Sequence, residues 1–427
     1  MIMKLPEKLK IGVASAATQI EGGDQNNSWY AWYQKGHIKD GADPSVATMH
    51  YQNYEQDAQL MQAMGIRHYR LGLEWARLEP QPGVFDETAF QHYRDELLLL
   101  KKLGISPLLT LHHFTNPMWF ENMGAFEKRE SIDIFLRFVS KVIDELGDIV
   151  SEYITINEPN VYATSGYFFG EWPPGQKSLI KAIRVMGNMC ECHLRAYTLI
   201  HKKRISMGYV DTHVSYAHHM RVFTPMNSEN LRDRFCARMM KRLFQTSISS
   251  VYLTGRGGWP LRRMRGIKRG LYCDFHAVNY YSRTAAKGFG AGFLPCVPVN
   301  DLGWEIYPQG IALCARELYA LAKLPIYITE NGTCDENDAF RSRYIFEHIK
   351  ALCESKLPVQ RYYHWCFTDN FEWVEGYSAR FGIVHVDYKT QQRTVKKSGE
   401  FFSEMIKACG VTQQMFDEYC DVDYKLN

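Results

Sequence analysis

The stretch Tyr327-Ile328-Thr329-Glu330-Asn331-Gly332 decides how this sequence is interpreted. A short apolar run rich in β-branched residues, Pro325 to Thr329, ends at a carboxylate, and an Asn-Gly turn pair follows at once. This pattern is typical of a buried strand that delivers one acid to the edge of a sheet. The stretch Tyr153-Ile154-Thr155-Ile156-Asn157-Glu158-Pro159 has the same pattern. An acid after a strand often only caps the next helix, but two such stretches predict two carboxylates that meet over one pocket.

An amphipathic helix, a Gly or Pro turn and a short apolar strand recur along the chain. Strands that alternate with helices imply right-handed crossovers and a parallel sheet. Eight such units without a glycine-rich dinucleotide fingerprint favour a closed barrel over an open doubly wound sheet. We therefore predict an α/β fold, a single (β/α)8 TIM barrel domain over residues 1–427. The predicted strands are Ile11 to Ala16, Ile66 to Leu73, Ile105 to Leu111, Ser151 to Ile156, Ile205 to Val210, Asp274 to Tyr280, Pro325 to Thr329 and Pro358 to Phe367.

The barrel prediction also locates the chemistry. In such barrels the functional side chains lie at the C-terminal ends of the strands. Glu158 and Glu330 then belong to the fourth and seventh strands, across the mouth from each other. Further polar and aromatic residues at the predicted strand ends should converge on the same rim, namely Gln19, Glu21, Arg70, Glu74, His112, His113, Asn157, Asp211, His213, Asn279, Tyr281 and Trp365. Among them, His112 alternates to the other face of its strand from His113, so a structural role is expected for it.

Composition excludes several classes of protein. The 427 residues are 46% hydrophobic and 23% charged, as in an ordinary globular protein. A net charge of +3 is too small to imply a nucleic-acid partner or an anionic membrane. The first ten residues lack the apolar core of a signal peptide and no long apolar run follows, so neither secretion nor membrane spanning is expected. Eleven scattered cysteines predict reduced thiols and a cytoplasmic location.

Several segments, taken in this order, resemble glycoside hydrolase family 1, the β-glucosidase family. The most specific segment is Asp369-Asn370-Phe371-Glu372-Trp373, which runs on to Arg380-Phe381-Gly382. The resemblance covers nearly the whole chain. The other matching segments are Ala16 to Gly22, Leu111 to Phe114, Ile156 to Pro159, Asp274 to Tyr281, Gly303 to Pro308 and Tyr327 to Gly332.

The resemblance implies a retaining β-glycosidase of the β-glucosidase type, acting on terminal β-D-glucosides through a covalent glycosyl-enzyme intermediate. Glu330 would be the nucleophile, kept ionised by Arg70 and Tyr281, and Glu158 would be the general acid and later the base. It implies neither a metal nor an organic cofactor. The implied substrate-binding residues are Gln19, His113, Asn157, Trp365, Glu372 and Trp373, with Trp172 and Trp304 on the aglycone side.

Glu372 also bears on the substrate. Relatives that hydrolyse 6-phosphorylated glycosides carry Ser at this position, with Lys and Tyr where this chain has Ala379 and Phe381. A carboxylate aimed at the 4- and 6-hydroxyls would repel a 6-phosphate, so an unphosphorylated substrate is expected. The alternatives are a 6-phospho-β-glycosidase, a transglycosidase and a non-catalytic sugar-binding relative. The presence of both Glu158 and Glu330 counts against the last.

The segment Arg256 to Leu271 departs from the family pattern. It is short, and it carries six basic residues and no acid. We expect a solvated surface here, with preference for an acidic aglycone or a polyanion as the alternative. Neutralising Arg262, Arg263 and Arg265 tests that alternative through the salt dependence of turnover.

Overall fold

A closed barrel of eight parallel strands forms the centre of the molecule. The computed structural model describes residues 1–261, 264 and 266–427. The strand Ile326–Asn331 pairs with both His276–Lys287 and Val359–Trp365. Val359–Trp365 in turn pairs with Lys10–Ala14, so the hydrogen-bonded ring closes. The predicted fold class is confirmed. The strands are β1 (Lys10–Ala14), β2 (His68–Gly72), β3 (Ser106–Thr110), β4 (Glu152–Asn157), β5 (His213–Pro225), β6 (His276–Lys287), β7 (Ile326–Asn331) and β8 (Val359–Trp365).

Helices cover the outside of the barrel. In the helix Ser131–Leu146 the buried residues Phe135, Val139, Val142 and Leu146 recur every three or four positions and face the sheet. The other long helices are His50–Ala63, Glu87–Lys102, Leu179–Ser206, Gln309–Leu321, Arg341–Glu354 and Lys397–Ala408. The shorter ones are Ala17–Ile20, Ser28–Gln34, Trp75–Leu78, Met118–Asn122, Pro159–Ala163, Leu231–Lys241, Ser247–Thr254 and Gln413–Tyr419.

Short elements complete the chain. Among the described residues, no helix has the length and apolar character needed to cross a membrane. The 3-10 turns are Ala125–Glu127 and Trp373–Glu375, and the π-helical turns are Thr164–Phe169 and Arg242–Thr246. The short strands are Met3–Lys4, Gly290–Gly292, Pro298–Val299, Val384–Val386, Arg393–Val395, Gly410–Val411 and Lys425–Leu426.

The barrel strands are apolar because both of their faces are covered. All six residues of β7 are buried, and so are five of the six in β4. Helices lie on one side of each strand, and side chains fill the barrel on the other. Such strands therefore read as continuous apolar runs, and this is why seven of the eight predicted strands overlap the observed ones.

The prediction of the fifth strand was wrong. The residues Ile205 to Val210 end the preceding helix and form the turn after it, and β5 begins only at His213. Ile205 is 60% exposed and Val210 is 90% exposed, which no central strand tolerates. Val214 and Met220, by contrast, are fully buried. The histidines in β5 made this strand look polar in the sequence.

Strands β5 and β6 also run further than predicted. They stay paired beyond the barrel as far as Pro225 and Ala286, and Gly290–Gly292 then pairs with the end of β6. This ribbon rises from the C-terminal rim, beside the fourth and seventh strands that carry the two glutamates.

The basic residues Arg262, Arg263 and Arg265 lie outside the described residues. The hypothesis that this segment favours an acidic aglycone or a polyanion therefore stays a prediction.

Candidate active site

Glu158 and Glu330 lie where two parallel strands leave regular pairing. Against β5, the register of β4 shifts between Ile154 and Asn157, and against β6 the register of β7 shifts between Ile328 and Glu330. Glu158 has φ 43°, in the left-handed region that a non-glycine residue rarely occupies. Such irregularities redirect side chains next to active sites. Here they turn two buried carboxylates toward the mouth of the barrel.

Glu330 is held by a cation and a phenol. The guanidinium of the fully buried Arg70 donates to Oε1 of Glu330, and the hydroxyl of Tyr281 donates to Oε2 at 2.7 Å. Burial raises the pKa of Glu330 to about 7; the charge of Arg70 opposes that rise, the charge of Glu158 adds to it, and Tyr281 opposes it. Both contacts predicted for Arg70 and Tyr281 are therefore present.

Asn157 links the two acids. Its Oδ1 accepts from Nη2 of Arg70 at 2.7 Å and from Nδ2 of Asn279 at 3.0 Å. Its Nδ2 therefore has to donate, and it donates to Nε2 of His113 at 3.1 Å. These contacts fix the orientation of the amide, so that Asn157 lies between Arg70 and the Glu158 side of the pocket.

Glu158 is surrounded by neutral donors. Nδ2 of Asn279 donates to Oε1 of Glu158 at 2.7 Å, and Nδ1 of His219 lies 3.0 Å from the same oxygen. Burial raises the pKa of Glu158, whereas the hydrogen bonds from His219 and Asn279 and the charge of Arg70 lower it. Because the charge of each acid opposes the ionisation of the other, the pair loses its two protons in separate steps, and between those steps it holds one proton that either acid can carry.

Gln19 and Glu372 are in direct contact with each other. Nε2 of Gln19 donates to the carbonyl of Phe371 at 2.8 Å, to Asn370 Oδ1 at 3.1 Å and to Glu372 Oε2 at 3.2 Å. Within the described part of the chain, the buried Oε1 of Gln19 has no partner. Burial raises the pKa of Glu372 to about 8. A polyhydroxylated ligand would satisfy both groups, because a hydroxyl donates and accepts.

His113 presents a second unpartnered polar atom. Since its Nε2 accepts from Asn157, its proton lies on Nδ1, which is buried without a partner among the described residues. Burial and the charge of Arg70 hold the pKa of His113 well below its usual range, so the ring stays neutral. The ring lies nearly parallel to those of Trp365 and Trp373, with centroids 5.8 and 6.0 Å apart.

Trp172 and Trp304 each pack against aromatic residues of the site. Trp172 packs against Trp373, at 5.8 Å between ring centroids. Trp304 lies 6.0 Å from Tyr281 and 6.0 Å from Phe381, centroid to centroid. Both indoles are partly exposed, as expected for residues at the edge of a pocket.

Some residues predicted at the rim are elsewhere or have structural partners. Asp211 and His213 lie before β5 or at its start, at the opposite end from the rim, and Asp211 pairs with Arg204 at 2.6 Å. Glu21 binds Arg77 and Tyr93. Nε2 of His112 contacts Asn116 at 3.0 Å, which agrees with the structural role expected for this histidine.

Two residues near Glu158 were missed, namely His219 and Arg221. The signal that locates them is the alternation in β5, where buried Val214, Tyr216 and Met220 leave Ala217, His219 and Arg221 on the other face. Because the predicted fifth strand ended at Val210, this alternation was never assigned to the barrel.

Comparisons with known proteins agree with this architecture. The glycosyl hydrolase family 1 model matches residues 1–280 and 276–411. Beta-glucosidase A of Thermotoga maritima is 30% identical, covering 96% of this chain and 99% of that protein, and beta-glucosidase A of Acetivibrio thermocellus is 31% identical, covering 95% and 98%.

Solved structures of similar proteins extend the likeness to three dimensions. A beta-glycosidase from Pyrococcus horikoshii has a TM-score of 0.88 at 32% identity, covering 97% of this chain and 98% of that one. The Thermotoga maritima beta-glucosidase in complex with glucoimidazole has a TM-score of 0.89 at 29% identity, covering 96% and 100%. The closed barrel, the two glutamate-bearing strands and these matches over nearly the full length lead to one conclusion: the chain belongs to glycosyl hydrolase family 1.

Proposed function

We propose that this protein hydrolyses terminal, unphosphorylated β-D-glucosides with retention of configuration, using Glu330 as nucleophile and Glu158 as acid and base. The observation that carries the proposal is the unlike surroundings of two buried carboxylates. Glu330 is held by Arg70 and Tyr281, and Glu158 by His219 and Asn279. Retaining glycosidases need two carboxyl groups in different roles, and different environments assign those roles.

In the first step the ionised Glu330 attacks the anomeric carbon while protonated Glu158 gives its proton to the departing oxygen. The glycosidic bond breaks and an ester to Glu330 forms. Arg70 and Tyr281 aim both oxygens of Glu330 and stabilise the charge it needs for attack. Because the active form of the pair holds one proton, we expect kcat/KM to fall on both sides of its pH optimum, as the second proton binds and as the last proton leaves.

In the second step Glu158 acts as base. Water gives a proton to Glu158 while its oxygen attacks the anomeric carbon, and the ester bond to Glu330 breaks. Esterification has removed the charge of Glu330, so an ionised Glu158 no longer faces a second carboxylate. The donors around Glu158 favour this ionised form.

Gln19, His113, Asn157 and Glu372 would bind the sugar hydroxyls, with Trp365 and Trp373 beside the ring. The unpartnered atoms Gln19 Oε1 and His113 Nδ1, seen within the described residues, support this assignment. An apolar pair, Ala379 and Phe381, and the carboxylate of Glu372 argue against a 6-phosphate. Trp172 and Trp304 would flank the aglycone.

Aryl β-glycosides with gluco, galacto, fuco, manno and 6-phosphogluco sugars test the proposal. The gluco compound should release its phenol fastest, and proton NMR of the first product should show the β-anomer. Replacing Glu330 by Gln should abolish this release. The matched control for that variant is Glu152→Gln, which changes a carboxyl at the opposite end of β4 that accepts from the hydroxyl of Tyr327 at 2.8 Å. Activity restricted to the 6-phospho compound would favour a phospho-glycosidase. Transfer to added alcohol in preference to water would favour a transglycosidase.

We also propose that residues 1–427 form one domain, since strands from both ends of the chain close the same barrel through the β1–β8 pair. A single cooperative unfolding transition would support this proposal, and two separated transitions would contradict it.

We further propose a cytoplasmic location, supported by eleven free cysteines, most of them buried. Cell fractionation with thiol labelling tests it, and recovery in an oxidising compartment would overturn it.

A further inference from the structure

A histidine and an arginine on β5 stand behind Glu158. Nδ1 of His219 lies 3.0 Å from Oε1 of Glu158, and Nε of Arg221 lies 3.0 Å from Nε2 of His219. Because a guanidinium can only donate, Nε2 of His219 is the acceptor and carries no proton. The proton of the neutral ring is therefore on Nδ1, and it is donated to Glu158.

This arrangement is held rigidly. Nη1 of Arg221 donates to Thr284 Oγ1 at 3.1 Å, and its backbone N–H donates to Gln245 Oε1 at 3.1 Å. The ring of His219 lies nearly parallel to that of Tyr281, 5.9 Å away, and edge-on to Phe244 at 5.8 Å. The imidazole therefore cannot turn to present its other nitrogen without breaking these contacts.

Both donors to Glu158 reach the same oxygen. Oε1 accepts from His219 and from Asn279, at 3.0 and 2.7 Å, so it has no room for a proton of its own. Oε2 is left as the oxygen that can carry the exchangeable proton. Two donors on one carboxylate favour its ionised form.

We propose that His219, with its tautomer fixed by Arg221, is a positioning residue that reserves Oε2 of Glu158 for proton transfer and favours the base form needed to break the glycosyl ester. The inference rests on the proposed function of Glu158. In glycosylation the proton on Oε2 passes to the leaving oxygen, and in deglycosylation a proton from water returns to Oε2. His219 keeps its own proton throughout.

Other groups that face Glu158 also affect its ionisation, in addition to His219. The charge of Arg70 favours an ionised Glu158, whereas the charge of Glu330 opposes it until the ester forms. These groups come from four strands, namely Arg70 on β2, His219 and Arg221 on β5, Asn279 and Tyr281 on β6 and Glu330 on β7.

The kinetic test compares His219→Leu with His219→Asn, since an Asn amide nitrogen can stand where Nδ1 does. A dinitrophenyl β-glucoside needs no acid, so its kcat follows deglycosylation. We expect His219→Leu to lower this kcat about tenfold, with kcat/KM for the same substrate nearly unchanged. For methyl β-glucoside, the basic limb of kcat/KM should move up by about one pH unit. His219→Asn should restore both values.

A titration gives a readout that needs no turnover. In a Glu330→Gln background with carbon-13 carboxyl-labelled glutamate, the Glu158 signal is identified by its loss in Glu158→Gln. Its midpoint should rise by about one unit in His219→Leu. Arg221→Met, which frees Nε2 and permits the other tautomer, should give a smaller rise and provides a second variant should His219→Leu fail to fold.

An unchanged midpoint would overturn the role of His219, as would equal losses in kcat and kcat/KM for every substrate, which indicate general structural damage. Failure of the native protein to cleave any aryl glycoside would instead contradict the proposed function. The titration would still decide whether His219 and Arg221 favour the ionised Glu158.

Discussion

The surroundings of Glu330 and those of Glu158 differ in both chemistry and origin. Glu330 contacts a guanidinium and a phenol, Arg70 and Tyr281, whereas Glu158 contacts an amide and a neutral imidazole, Asn279 and His219. A cation beside one acid and neutral dipoles beside the other let two buried carboxyls serve unlike roles. The two side chains are chemically identical, so the groups around them determine which one acts as nucleophile and which as acid.

The largest effects are expected when each acid is replaced. Glu330→Gln should lose about 10⁵-fold in kcat with every leaving group, because the ester cannot form. Glu158→Gln should lose about 10²- to 10⁴-fold with a poor leaving group and far less in glycosylation by a dinitrophenyl glucoside, which needs no acid. Steady-state and pre-steady-state rates with both substrates measure the contrast. Equal dependence of the two variants on the leaving group would contradict the assignment of Glu330 as nucleophile and Glu158 as acid.

Tyr281→Phe weakens the Glu330 side alone. The phenol donates to the ionised carboxylate and lowers the pKa of Glu330, so its loss should move the acidic limb of kcat/KM to higher pH and cost about 10- to 100-fold. The neighbouring Tyr280→Phe is the matched control, because that hydroxyl binds the carbonyl of Tyr307 at 2.7 Å, outside the site. If both variants have the native acidic limb, Tyr281 does not support Glu330.

Glu372→Ser tests the pocket that both acids share. Activity on the gluco compound should fall about tenfold or more with loss of hydrogen bonds to the sugar, and discrimination against 6-phosphoglucoside should narrow because the repelling carboxylate is gone. The ratio of kcat/KM values for the two substrates measures the change. An unaltered ratio would show that Glu372 does not exclude the phosphate.

The smallest effect on activity is expected when His50 is replaced. This buried residue lies between two carboxylates, those of Asp57 and Glu96. Nδ1 of His50 lies 2.7 Å from Asp57 and Nε2 lies 3.0 Å from Glu96. Although burial opposes it, these carboxylates raise the pKa of His50 to about 10. Protonated His50 therefore stabilises the folded protein, on the order of a few kcal/mol. This stabilisation is complete below about pH 6.5, the pKa of a histidine in the unfolded chain, and it is lost as the pH rises toward 10.

Denaturant unfolding between pH 6 and 10 measures this loss, with His50→Gln as the comparison. The variant should be less stable at pH 6 and should show a flatter decline toward pH 10. A native stability that stays constant over this range would contradict a charged His50. The rates of glycoside cleavage at pH 6, per folded molecule, should stay close to the native ones.

The sequence determined most of the barrel and the Glu330 side of the site. Strands buried on both faces must be apolar over their whole length, and acids at strand ends interrupt that run visibly. Glu158, Glu330, Arg70 and Tyr281 all lie in or next to such runs, so local patterning located them. Their roles came from the family resemblance, and their contacts came from the fold.

Only the tertiary structure determined which groups surround Glu158. His219 and Arg221 lie in a strand whose histidines hide its apolar pattern, and they are 61 and 63 positions from Glu158 in the chain. Pairing of β4 with β5, and the shifted register beside Asn157, bring them together. The tautomer of His219 likewise depends on a hydrogen bond across space. Side-chain identity is local in sequence, but the protonation and reach of a buried group depend on neighbours that folding supplies.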